Sequence, residues 1–183
     1  MRVIAGKYKG RALLCPSGLR VRPTADPVRE TIFNLLGGAV DGSRALDVFA
    51  GVGTLGIEAL SRNAREVHFV EKDRTALRYL RKNLDGVAAK EEAVVFAGDA
   101  FRIMRRLHEE GRTYELLFCD PPYGEGLTQR VLSEESESPL VEPGGMLIVQ
   151  RHAKDPVDLP HRRHTLRRRR VFGDTVVDIL EVV

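Results

Sequence analysis

Asp120-Pro121-Pro122-Tyr123 is the stretch of this 183-residue chain whose residue types specify a chemistry most narrowly. Each proline fixes φ, and Pro121 also confines Asp120 to extended conformations. The result is a rigid projection. In it the Asp120 carboxylate and the Pro121 carbonyl can each accept a hydrogen bond from one planar –NH2 group, while Tyr123 can stack on a flat ring. That set suits an exocyclic amine on a base or an amide. Such an amine is a poor nucleophile because its lone pair is delocalised, and two acceptors favour localising the pair for attack. Asp120, with an ordinary carboxyl pKa of about 4, is a weak base before transfer. Its expected role is therefore orientation and electrostatic stabilisation, with the proton leaving late. Asp120, Pro121, Pro122 and Tyr123 are the catalytic candidates.

A second stretch, from Ala45 to Ala59, reads as a short buried strand, a glycine-rich turn and the opening of a helix. Gly51 and Gly53 allow a sharp turn and close approach to a ligand, and Gly56 lets the helix lie near the strand. The helix N-terminus offers free N–H groups above the turn. Two cofactors fit this stretch. Gly51-x-Gly53-x-x-Gly56 with an acid twenty positions after Gly51, Glu71, matches a dinucleotide fingerprint. The in-strand Asp47 with Phe49-Ala50-Gly51 instead fits the signature of class I methyltransferases that use S-adenosylmethionine (SAM). For SAM, the candidate binding residues are Asp47, Phe49, Ala50, Gly51, Gly53, Gly56, Glu71, Lys72, Asp99, Ala100 and Asp120. Glu71 would accept from both ribose hydroxyls and Asp99 from the adenine amine. The backbone N–H of Ala100 would reach a ring nitrogen. Asp99 can equally be read as a simple helix cap. Nicotinamide chemistry has no use for Asp120 to Tyr123, and this decides for SAM.

The elements that must position these residues alternate. Strands are expected at Ala45 to Phe49, Glu66 to Glu71, Ala93 to Ala97, Tyr114 to Cys119 and Met146 to Gln150. Helices follow the first four, and Pro143-Gly144-Gly145 is expected to turn into the fifth. Leu166 to Phe172 and Thr175 to Val182 read as an antiparallel hairpin about Gly173-Asp174. Such βα alternation gives an α/β fold with a parallel sheet. With the closing hairpin it becomes a seven-stranded mixed sheet with helices on both faces. Residues 1–24 are expected to form a basic extension built on a β-hairpin, with Gly6 to Gly10 at its tip. Residues 25–183 are expected to form the catalytic domain, beginning with a helix whose first turn holds Pro27.

Composition narrows the classes. There is no apolar run of about 18 residues and no apolar leader, so neither a membrane span nor a secretory signal is expected. Cys15 and Cys119 show no metal spacing, Cys119 reads as a buried thiol, and no metal is expected. A monomer in a reducing cytoplasm fits these features. The net charge of +3 hides an asymmetry. Residues 1–30 carry seven Lys/Arg against two acids, and residues 161–170 carry six arginines and no acid. Two basic segments on an acidic body suit contact with a polyanion.

Leu46-Asp47-Val48-Phe49-Ala50-Gly51-x-Gly53-x-Leu55-Gly56-Ile57-Glu58-Ala59 together with Asp120-Pro121-Pro122-Tyr123 resembles the amino-group SAM methyltransferases. Gly10-Arg11, Arg22-Pro23-Thr24-x-Asp26-x-Val28-Arg29-Glu30-Thr31-x-Phe33-Asn34 and Arg170-x-Phe172-Gly173-Asp174-Thr175 resemble one branch of them, the RsmD family. The resemblance covers nearly the whole chain, and the Arg22–Asn34 segment is its most specific part. It implies a class I methyltransferase fold and SAM as donor. The implied acceptor is the exocyclic N2 amine of one guanine in 16S ribosomal RNA, guanine 966 in the family. That RNA would be met free or in an assembled or partly assembled small subunit. An adenine-N6 or cytosine-N4 nucleic-acid methyltransferase shares Asp-Pro-Pro-Tyr and is the alternative, with an NAD-binding oxidoreductase behind it. Gln150-Arg151-His152 departs from the family by following the fifth strand where an acid is expected.

The motif recognises an amine but does not choose the base, and a paired or stacked base must be flipped to reach it. The expected RNA contacts are Lys7, Tyr8, Lys9 and Arg11 on the hairpin, and Arg22, Thr24 and Arg29 at the start of the first helix. The Arg162 to Arg170 cluster is a weaker candidate, because a strand there sends alternate arginines to opposite faces.

Overall fold

The apolar runs bounded by turns become strands of one sheet. The computed structural model describes residues 1–16, 26–159 and 161–183. In chain order these form α1 (Asp26–Leu36), a 3-10 turn (Gly37–Val40), β1 (Arg44–Asp47), α2 (Thr54–Ser61), β2 (Glu66–Glu71) and α3 (Arg74–Gly86). Then come β3 (Ala93–Ala97), α4 (Ala100–Glu109), β4 (Tyr114–Cys119), α5 (Leu127–Glu137), β5 (Val141–His152), β6 (His164–Phe172) and β7 (Thr175–Val182). The strand order is β3-β2-β1-β4-β5-β7-β6. β1 to β5 are parallel, and β7 runs antiparallel to both β5 and β6. The seven-stranded mixed sheet is as expected. Among the described residues no helix is long and apolar enough to cross a membrane.

Alternation along the strands divides the core in two. Leu116 and Phe118 face α1, α2 and α3, packing with Ile32, Phe33, Ile57, Leu60 and Leu80. Leu117 and Leu46 face α4 and α5, packing with Phe101, Met104, Leu107, Val131 and Leu132. Gly56 permits the close approach of α2 to β2, since a Cβ there would meet Phe69 Cε1 at 2.2 Å.

Four segments differ from expectation, and one of them is β6, which starts at His164 rather than Leu166. β1 ends at Asp47 rather than Phe49, because the chain already turns away beyond Val48. Pro143-Gly144-Gly145 does not precede β5 but lies inside it, as a register break opposite Tyr114 to Leu116. Gly145 passes so close to β4 that a Cβ would meet Glu115 O at 2.8 Å. The amino-terminal hairpin is reduced to one antiparallel bridge, Arg2 with Ala12. Val3, Gly10 and Leu13 still donate across it, but the next peptide groups are diverted: Ile4 N donates to Glu58 Oε2 (2.8 Å) and Ala5 N to Glu58 Oε1 (3.0 Å). Val3 and Leu13 are buried in the same core as α1 to α3.

Glu58 is therefore a junction. Its carboxylate is 1% exposed and also meets Arg62 Nε at 2.9 Å and Arg29 Nε at 3.7 Å. Arg29, itself fully buried, donates to the carbonyl of Arg2 and to Asp26 (3.1 Å). Burial pulls the Arg29 guanidinium below its ordinary pKa, and Glu58 and Asp26 oppose that pull. Removing one partner of a buried pair strands the other. Glu58→Ala should lower folding stability by about 3–5 kcal/mol, read as a shift in the urea midpoint. A loss under about 1 kcal/mol would show that the charge of Glu58 is not needed to keep Arg29 inside.

Candidate functional site

β1, β2 and β4 end side by side, and an acid stands at each end. Asp47 pairs in register with Phe69 of β2 and Phe118 of β4. Glu71 and Asp120 each follow two residues later on those strands. Beyond Asp47 the chain turns through Gly51 (φ 57°) and Gly53 (φ 92°), conformations that glycine adopts without steric cost. Gly53 then opens α2, and a Cβ on it would meet Leu80 Cδ1 at 2.4 Å.

The acids hold this turn. Asp47 Oδ2 accepts from Gly56 N at 3.2 Å, and Glu71 Oε2 accepts from Gly51 N at 2.8 Å. Glu71 Oε1 accepts from the N–H groups of Lys72 (2.8 Å) and Asp73 (2.7 Å). Ala50 N donates to Val70 O at 3.0 Å, and the ring of Phe49 lies edge-on to Phe101 at 6.3 Å. Asp99 is exposed and caps α4 through Arg102 N (3.1 Å), with Ala100 buried just inside the helix. Lys72 is exposed beside Glu71. The sequence reading missed Asn83 of α3, which donates to Val52 O at 2.9 Å and accepts from Leu14 N at 2.7 Å. It ties the turn to the amino-terminal segment. No motif points to it, because its partners are backbone groups of remote segments.

Asp47 is the unusual group. It is 1% exposed, and its Oδ1 has no hydrogen-bond partner. Burial pushes its pKa up to about 8; the Gly56 N–H pulls down, and the charges of Asp120 and Glu71 push further up. Three acids converging on one turn favour a cationic ligand and disfavour an anionic one. The pyrophosphate of a dinucleotide would meet that repulsion, whereas the sulfonium and ammonium of SAM would relieve it. The orphaned Asp47 oxygen is an acceptor such a cation can satisfy. The residues present therefore fit SAM.

Asp120 to Tyr123 leaves the end of β4 with Pro121 buried and Pro122 and Tyr123 exposed. The ring of Tyr123 meets His152 at the end of β5, centroids 5.5 Å apart and planes at 64°. His152, where the sequence departs from the family, thus stands beside Tyr123. Arg151 is withdrawn into an ion pair with Asp178 at 3.1 Å. Gln150 is 4% exposed with its Oε1 unpartnered. Burial pushes the thiol of Cys119 well up, so it stays protonated and inert beside the site.

The expected RNA contacts are not brought together. Arg29 is corrected: it is buried beside Glu58 and has no surface to offer a phosphate. Lys7 and Tyr8 are displaced from the site. Lys7 N donates to Ser61 O (2.7 Å), Tyr8 N to Ser61 Oγ (2.9 Å), and Lys7 Nζ pairs with Glu92 at 3.2 Å. Ser61 ends α2 and Glu92 precedes β3, so this tip lies at the amino-terminal rim of the parallel strands. Asp120 to Tyr123 lies at the opposite rim. Lys9 and Arg11 are exposed on the same hairpin. Arg22 and Thr24 lie outside the described residues.

The buried acid generates a stability prediction. The pKa of Asp47 is raised on folding, from 3.8 to about 8, so the folded state binds the proton more tightly. Its contribution to stability is complete below pH 4 and is lost as pH rises to about 8. Asp47→Asn keeps an acceptor for Gly56 and removes that loss. In the ligand-free protein the variant should gain stability over the parent at pH 8, with the gap shrinking by pH 5. Urea denaturation of both at the two pH values measures it, and an equal gap at both would show that Asp47 does not titrate in that interval.

Comparison with known proteins supplies the family. Residues 1–181 match the family described as Conserved hypothetical protein 95. A Bacillus subtilis protein described as a candidate rRNA methyltransferase is 38% identical over 98% of this chain and 97% of its own length. Ribosomal RNA small subunit methyltransferase D of Escherichia coli K12 is 32% identical over 94% of this chain and 85% of its own length. The solved structure of an Escherichia coli protein described as a candidate methyltransferase, yhhF, superposes with a TM-score of 0.88 at 31% identity. It covers 100% of this chain and 97% of that one. With the seven-stranded sheet, the glycine turn between β1 and α2 and Asp120 to Tyr123 after β4, the chain belongs to this family, the RsmD family of class I methyltransferases.

Proposed function

We propose that this chain is a SAM-dependent methyltransferase acting on the exocyclic N2 amine of a guanine in 16S ribosomal RNA, the position equivalent to guanine 966. One observation carries the reading. Asp120-Pro121-Pro122-Tyr123 leaves β4 beside the glycine turn, where Asp47 and Glu71 already converge with Asp120. The family membership and the names of the relatives support small-subunit ribosomal RNA as the substrate. SAM supplies an electrophilic methyl group when bound.

Asp47 and Glu71 present carboxylates to the cationic and ribose parts of that donor. The Asp120 carboxylate and the Pro121 carbonyl accept from the two hydrogens of the acceptor amine and orient its lone pair. Tyr123, 41% exposed, offers a stacking face, and the edge contact with His152 fixes its ring. Asp120 stabilises the positive charge that develops on the nitrogen, and the proton leaves after transfer. The RNA is met free or within an assembled or partly assembled small subunit in the cytoplasm, by a monomer.

Two substitutions test the assignment. Glu71→Ala removes a charged acceptor, and such hydrogen bonds contribute roughly 1.5–3 kcal/mol. SAM affinity by calorimetry should fall about tenfold or more, and unchanged affinity in a folded variant would take Glu71 out of the site. Asp120→Ala should abolish methyl transfer to small subunits from cells lacking the gene, with SAM affinity kept within a few-fold. Near-normal turnover would refute its orienting role, and nucleoside mass spectrometry of the product separates N2-methylguanine from N6-methyladenine.

A further inference from the structure

Four consecutive arginines, Arg167 to Arg170, lie on β6, an edge strand of the sheet. An unbroken strand would place Arg168 and Arg170 on the face of Leu166, against α5. β6 is broken: Leu166 pairs with Leu180, but Arg168 pairs with Ile179, so one extra residue is accommodated between them. A bulge of this kind transfers every later side chain to the other face. Arg168, Arg170 and Phe172 therefore share the face on which Val177 and Ile179 pack with the α1 side of the core.

The four arginines then have different fates. Arg167 pairs with Glu181. Arg169 holds Asp178, the buried acid that also holds Arg151. Among the described residues Arg168 and Arg170 form no ion pair. Each is exposed, and each guanidinium donates only to the carbonyl of the residue before it, at 3.0 Å. Two arginines thus stand uncompensated on one face, about 6.6 Å apart along the strand.

Register connects them to the acceptor side. Ile148, Ile179 and Arg168 lie in one row across β5, β7 and β6; Gln150, Val177 and Arg170 form the next. His152, Thr175 and Phe172 form the third. His152 is the residue edge-on to Tyr123. Two strand spacings, about 10 Å, separate each arginine from its row partner on β5, and Arg170 lies one row and Arg168 two rows inward from His152. The hairpin tip with Lys7 and Tyr8 lies at the far rim instead.

We propose that Arg168 and Arg170 form a phosphate-binding edge that grips the RNA backbone next to the flipped acceptor nucleotide. The proposal rests on the ribosomal RNA methyltransferase reading. Charge complementarity names the occupant: two unpaired guanidinium groups in an extended row suit successive phosphodiesters. The competing explanation is that charge on an exposed edge strand merely prevents sheet-to-sheet association.

The test is filter binding of 16S RNA and of small subunits from cells lacking the gene, across a salt series, for the parent and for Arg168→Ala/Arg170→Ala. Both residues are exposed and unpaired, so SAM affinity and the melting temperature should be unchanged. RNA affinity should fall tenfold or more at low salt, and the log–log salt slope should flatten by about one per arginine. Arg168→Lys/Arg170→Lys should restore most of the slope. Equal affinities with parallel slopes, or a variant whose only defect is self-association, would overturn this proposal and leave the methyltransferase reading standing. A parent that binds SAM but neither binds nor methylates either RNA substrate would overturn both.

Discussion

A carboxylate kept away from water sets the terms of this site. Asp47 sits at the end of β1, holds the Gly56 N–H at the mouth of α2, and leaves its second oxygen unpaired. Desolvation of such a group is costly, and Asp120 and Glu71 add to the cost with their own charge. The Gly56 N–H offsets part of that cost, and the glycine turn itself packs closely, Gly53 against Leu80 and Gly56 against Phe69. The ligand-free site is thus arranged to gain from a positive charge. That preference follows from three strand ends converging, not from any one residue.

The same short helix organises the other half of the molecule. One turn beyond the cofactor turn, Glu58 gathers the peptide groups of Ile4 and Ala5 and the side chains of Arg29 and Arg62. Ser61 then fixes Lys7 and Tyr8. Asn83 joins Leu14 to Val52 from α3. The first fourteen residues are therefore held to the rest of the chain by buried polar contacts as well as by Val3 and Leu13. Two basic residues serve that attachment: Arg29 of α1 is inside, and Lys7 is paired with Glu92.

The arginines at the carboxyl end show how register converts a charge run into distinct parts. Asp178 and Glu181 take up Arg169 and Arg167, and with Arg151 they stitch β5, β6 and β7 together. The bulge leaves Arg168 and Arg170 on the face whose rows run back to Gln150 and His152. Composition alone records six arginines near one end of the chain. Pairing decides which of them meet solvent.

What the sequence determined by itself was local. Proline fixes φ, so Asp120-Pro121-Pro122-Tyr123 is a rigid corner wherever the chain carries it. Glycine tolerates positive φ, so Gly51 and Gly53 announce a turn. Alternating apolar runs announced β1 to β7, with ends misjudged by a few residues at β1, β5 and β6. Asp73 and Asp99 cap α3 and α4 by contacts within three residues. The tertiary structure decided everything that depends on a distant partner. Arg29 went inside because Glu58 waits there, fifty-four residues from Ile4, which shares the same carboxylate. The hairpin tip went to the wrong rim for the site because Ser61 and Glu92 hold it there. His152 came to Tyr123 because β4 and β5 are neighbours. Asp47 became a weak acid only when the assembled fold excluded water from it, since desolvation belongs to that fold and not to the residue.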